Sequence, residues 1–122
     1  METQEFLQYI ETYYPVEYDL VGRSTATKII NTLLADKELE VVTSEEGSNF
    51  EILEIISLIA LLVETIKSIL EIIDHFKQRK EEVTFKKVKE KVLEKLNQSD
   101  RDRIDNEDLD ELVKDIVDKK RK

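Results

Sequence analysis

Residues 50–76, FEILEIISLIALLVETIKSILEIIDHF, decide how this chain is read. Apolar side chains recur at 52, 56, 59, 63, 66, 70 and 73, a four-three alternation held over three heptads, and Ile55, Leu62, Ile69 and Phe76 form a second row seven residues apart. The period is helical, and two adjoining rows make a buried face wider than a two-stranded coiled-coil seam. Leu53, Leu58, Ala60 and Leu61 fill the remaining sides of the first half, so this helix has to be enclosed by the rest of the fold or by another chain. Glu51, Glu54, Glu64, Lys67, Glu71 and Asp74 interrupt the stretch and leave residues 55–63 as its longest uncharged run. That is about half of the roughly 18 to 20 apolar residues a membrane span requires. Ser48-Asn-Phe-Glu51 fits a capping box at its start, and the expectation is a helix over about 50–80.

Working outward toward the N-terminus, Phe6, Leu7 and Ile10 stand at helical spacing and Pro15 stops the pattern, which predicts a first helix over 4–14. From Val16 the period changes to two, with Val16, Tyr18 and Leu20 alternating with Glu17 and Asp19 until Gly22, the pattern of a half-buried strand. Ser24 is a suitable N-cap for a helix over about 25–36 that carries Ile29, Ile30, Leu33 and Leu34. Residues 39–43, Leu-Glu-Val-Val-Thr, read as a second, β-branched strand leading into the Ser44-Glu-Glu-Gly47 loop.

On the other side, residues 82–88 read either as a third strand or as the start of a helix capped by Thr84, and Phe85, Val88, Val92 and Leu96 continue at helical spacing. Residues 98–108 are a polar connector. A last helix carries Leu109, Leu112, Val113, Ile116 and Val117 on one face, with acids in its first turn and Lys119-Lys-Arg-Lys122 at its end, the polarity its dipole favours. The resulting expectation is a helix-dominated α+β fold, a small domain built around the 50–80 helix with two or three short strands and C-terminal helices. Residues 1–97 form its single compact domain, and residues 98–122 pack on it or on a partner.

The 122 residues carry 28 Asp and Glu against 19 Lys and Arg, a formal charge of −9, with 40% hydrophobic and 39% charged residues. The balance argues against a phosphate-backbone binder, which presents a basic face. The charge is polarised: −11 over residues 1–76, +4 over 77–95 and −2 over 96–122. With no cysteine, two glycines and one proline, the chain has no disulfide framework, no Cys-type zinc site, no thiol nucleophile and no glycine-rich phosphate loop. The acidic, polar N-terminus lacks the basic flank and apolar run of a secretory signal, and a cytoplasmic location is the expectation.

Chemistry-bearing constellations are missing from the sequence. His75 is the single histidine, too few ligands for zinc and without a serine elbow to serve. Asp100, Asp102 and Glu111 stand at the first, third and twelfth positions of a calcium loop, but Ile104 and Asp105 occupy positions that need an oxygen ligand and a glycine. Capping of the last helix by Asp105 or Asn106 accounts for the same residues. No catalytic residue, metal or cofactor is expected, and the chain reads as a non-enzyme.

Two apolar groups remain as candidate contact surfaces. The first is Ile52, Ile55, Ile56, Ile59, Leu62 and Val63, which belongs either to an intramolecular core or to an interface with a protein partner or a second copy. The second is Tyr9, Tyr13, Tyr14 and Tyr18 around Pro15, a subsidiary core or a binding hot spot.

Residues 16–85 run as strand, a helix leading into Leu34-Ala-Asp-Lys-Glu-Leu-Glu-Val-Val42, a loop with Gly47, the long apolar helix, then Lys80-Glu-Glu-Val-Thr-Phe85. This order resembles the effector-associated constant component family, small proteins found beside proteases and other effectors in bacterial conflict systems. The chain departs from that family in lacking a small-residue-rich loop before the long helix and in its two added C-terminal helices. The resemblance implies an adaptor that couples defence components through protein contacts, and it carries over no functional residue. An acidic inhibitor, antitoxin-like or nucleic-acid-mimicking, whose first segment occupies a basic site on its partner, is the alternative.

Overall fold

A computed structural model describes residues 3–38 and 50–121, with side chains from Ile52 onward in the second stretch. The described residues form six helices in chain order: α1 Thr3–Tyr13, α2 Pro15–Leu34, α3 Phe50–Gln78, α4 Phe85–Lys95, α5 Gln98–Arg103 and α6 Asn106–Lys120. No strand occurs among them, so the α+β expectation is overturned and the described residues form an all-helical fold. No helix among the described residues is long and apolar enough to cross a membrane.

The strand expected over 16–20 is the first limb of α2. Pro15 sits in the first turn of that helix, where its fixed φ is already helical and its missing N–H costs nothing. Val16 and Leu20, read as alternating, are also four residues apart and share a helix face. Gly22 interrupts the helix with φ 84° and ψ 156° instead of ending a strand, and the helix expected over about 25–36 is the second limb, with Ser24 in its first turn two residues past the break. Over 82–88 the helical alternative holds: Thr84 is extended and its hydroxyl accepts a hydrogen bond from the Lys87 N–H at 3.3 Å, opening α4 at Phe85. The strand expected over 39–43, the loop that follows it and the Ser48–Glu51 capping box lie outside the described residues.

The chain divides into two compact units, residues 1–64 and 65–122, with α3 running from the first into the second. In the first unit α1 packs along α2. Phe6, Leu7, Tyr9 and Ile10 of α1, Ala26, Ile29 and Ile30 of α2, and Ile59, Leu62 and Val63 of α3 are buried there. At the surface, the Thr3 hydroxyl donates to Asn31 Oδ1 at 2.8 Å and Arg23 donates to Gln4 Oε1 at 3.0 Å, tying the second limb of α2 to α1.

In the second unit the stripe of α3 continues through Ile66, Ile69, Ile73 and Phe76, joined by Ile72, Val83, Val88, Val92 and Ile104 and by Leu109, Leu112, Val113, Ile116 and Val117 of α6. α4 packs against α6, and the Lys89 ammonium lies 2.5 Å from Asp110 while it sits 5.8 Å from the Phe85 ring centre. The connector read over 98–108 folds into α5 between two N-caps. The Asn97 side chain accepts from the Asp100 N–H at 2.8 Å, and Asp105 accepts from the Glu107 N–H at 2.8 Å.

Helix C-termini are closed with equal care. Asp36 at φ 56° and Lys80 at φ 58° follow α2 and α3. At the first, the Lys37 N–H reaches Thr32 O and the Asp36 N–H reaches Leu33 O. At the second, the Glu81 N–H reaches Phe76 O and the Lys80 N–H reaches Lys77 O. Both are Schellman motifs, which satisfy carbonyls that would otherwise lack partners. Elsewhere cations do this work: the Lys77 ammonium donates to the Lys120 carbonyl at the end of α6, and Arg101 donates to the Leu93 carbonyl near the end of α4.

Two substitutions at helix ends should move stability in opposite directions. Thr84→Ala removes an N-cap and should lower unfolding free energy by about 1 kcal/mol. Lys80→Gly relieves a non-glycine residue of the left-handed conformation and should raise it by about 1 kcal/mol. Urea unfolding followed by circular dichroism checks both.

Candidate interaction surface

The apolar face of α3 splits along its length. Of the six residues singled out there, Ile59, Leu62 and Val63 are buried, Ile55 and Ile56 are half-buried, and Ile52 is 42% exposed. Leu53, Leu58, Ala60 and Leu61, on the remaining sides, are half-buried. The side chains most central to that face are thus already covered within a single chain, and among the described side chains of α3 the exposed large apolar one is Ile52, near its start. The tyrosines also divide: Tyr9 and Tyr14 are buried, Tyr13 and Tyr18 half-buried. They do not form one exposed aromatic patch.

Among the described residues, the most exposed large apolar side chains lie elsewhere. Val16 is 64% and Leu20 61% exposed, on one face of the first limb of α2. Sequence reading missed them because an alternating pattern assigns Val16, Tyr18 and Leu20 to one buried strand face. The signal that finds them is Pro15: a helix starting there places 16 and 20 together on one side. Between them stand Glu17, half-buried, and Asp19, exposed. Burying such an apolar pair against a partner is favourable at roughly 25 cal/mol per Å² of apolar area removed from water.

The charge divides with the units. Residues 1–64 hold 13 acidic and 3 basic side chains, net −10, and residues 65–122 hold 15 and 16, net +1. The acidic excess therefore belongs to the unit that carries Val16 and Leu20. Of its three cations, Arg23 is engaged with Gln4.

The second unit has a cleft of about 700 Å³ floored by Ile72 and Phe76, with His75 at its lip. Its cations are compensated: Arg79 faces Glu81 at 3.9 Å, Lys91 faces Glu94 at 3.5 Å and Lys95 faces Glu71 at 3.9 Å. A rim of this kind has no net preference for an anion. Among the described residues no group of three or more His, Cys, Asp and Glu is placed to hold a metal ion.

Comparison of the chain with protein-family models, with curated proteins and with solved structures finds no match.

The acidic first turn of α6 carries a measurable consequence. The Asp108 carboxyl is pushed above 3.8, first by partial burial and second by the neighbouring Asp105 carboxylate. Folding thus favours its protonated form, and that stabilisation is fully present below pH 3.8 and fades as pH rises through the folded value. Asp108→Asn removes the dependence. The variant should gain stability relative to the parent chain as pH rises from 3.5 to 7, read from thermal melts of both proteins across that range.

Proposed function

We propose that this chain acts by protein–protein contact, with the first limb of α2 as the contact element. The observation that carries this reading is the exposure of Val16 and Leu20, two large apolar side chains one helical turn apart. An apolar pair at i and i+4 flanked by carboxylates is the chemistry of a helix that docks in an apolar groove with a basic rim. Two anchors are few beside the roughly 800 Å² per partner of a standard stable interface, so the contact is transient and suits an adaptor that engages and releases. Coupling of components in a bacterial defence system, which the family resemblance implies, is the finer form of this reading. The first limb of α2 is helical where that resemblance takes a strand, so the contact reading rests on the exposed pair and not on the family.

The segregated charge favours a second reading, an acidic inhibitor in which the first unit, at net −10, occupies a basic site. The two separate by ionic strength. Contact through Val16 and Leu20 should hold between 50 and 500 mM salt, whereas a charge-driven complex weakens steeply.

The direct experiment places a photo-crosslinking amino acid at Leu20 and, as a control on the other unit, at the exposed position Asp102, in cells that express the chain. An adduct heavier than the chain itself is expected from position 20 and not from 102, and Val16→Asp should reduce it at least tenfold. Equal labelling from both positions, or none from position 20, contradicts the reading.

A further inference from the structure

We infer that Gly22 is a hinge, about which residues 15–21 open and reseat independently of residues 23–34. Its φ of 84° and ψ of 156° fall in a region that is essentially restricted to glycine. A Cβ built at Gly22 would meet nothing within 4 Å. The break is therefore not a place where a side chain is excluded by a close neighbour. The backbone conformation alone selects glycine, and the space around it leaves room to rotate.

The limbs on either side differ in what holds them. Residues 23–34 bury Ala26, Ile29 and Ile30 and are tied to α1 by Arg23 and Asn31. No residue of 15–21 is buried, and its largest apolar side chains face solvent. Seven residues are also well short of the roughly 12 to 15 that an isolated helix needs for marginal stability. Val16, Tyr18 and Val21 are weak helix formers, and the same sequence alternates with the period of a strand. Segments with few buried contacts open at low free energy, and a glycine break confines that opening to one side.

Such a limb, bounded by the non-helical Tyr14 on one side and by Gly22 on the other, would let Val16 and Leu20 adapt to a groove by opening locally between those two points. The hinge itself stands on backbone geometry and burial. Only its use, presentation of that pair to a partner, rests on the function proposed above.

Amide hydrogen exchange of the full chain, followed by NMR, tests the hinge without any partner. The amides of Asp19, Leu20 and Val21 should exchange at least tenfold faster than those of Ile29, Ile30 and Asn31, and a smaller difference overturns the inference. Gly22→Ala should extend helix through the break, since alanine avoids the native φ and is favoured over glycine in a helix interior. In that variant the gap should close to under threefold. A tenfold gap that survives the substitution shows that the limb frays for reasons other than Gly22 and also overturns the hinge. Should the variant not fold, the parent-chain comparison still decides. Loss of crosslinking from position 20 with the exchange pattern intact would count against the proposed contact and leave the hinge standing.

Discussion

The apolar stripe of α3 cannot stand in water, and most of what the other helices do follows from covering it. From Ile59 through Val63, Ile66, Ile69 and Ile73 to Phe76 the stripe is buried, and each fully buried aliphatic side chain contributes roughly 1.5–3 kcal/mol relative to exposure. Both compact units draw on it, the first through Ile59, Leu62 and Val63 and the second through the remainder. A helix with apolar side chains on so many faces needs neighbours on several sides. In the second unit its buried residues lie in the same compact unit as the buried apolar residues of α4 and α6, which pack against each other.

Short helices then depend on their ends. α5 spans only six residues, below the length at which propensity alone sustains a helix, and it persists between the Asn97 cap and the extended Ile104, whose N–H closes on Asp100 O. Lys77 and Arg101 bring cations to carbonyls at the ends of helices other than their own, where the helix dipole favours positive charge. The lysines and arginines of residues 77–95 are thus spent largely on local pairing. Lys89 pairs with Asp110, Lys91 with Glu94 and Lys95 with Glu71, while Lys80, Lys86 and Lys87 stay exposed.

The long helix, the first helix and the last helix were legible in the sequence, because a sustained apolar period of three and four residues has one reading. The caps at Thr84 and Asp105 were legible only as one of two alternatives each, a strand competing over 82–88 and Asn106 competing with Asp105. The segment 16–20 was not, since Val16, Tyr18 and Leu20 satisfy a period of two as well as a helical turn, and five residues are too few to separate them. The deciding residue was Pro15, which favours a helix start. The α5 turn was hidden because its residues are all polar, so no period marks it. Burial along α3 was legible as a need but not as a location: the pattern treats 52, 55 and 56 like 59, 62 and 63, whereas only the latter three are covered.

The absence of any native cysteine makes thiol labelling a direct measure of this division between covered and presented apolar surface. Val63→Cys and Leu20→Cys, each the sole thiol in its chain, would be treated with the same maleimide under native conditions. Leu20→Cys should react at the rate of a free thiol, and Val63→Cys at least a hundredfold more slowly until denaturant is added. Comparable rates at the two positions would contradict the account, because the stripe of α3 would then be open to solvent and itself a candidate surface for a partner.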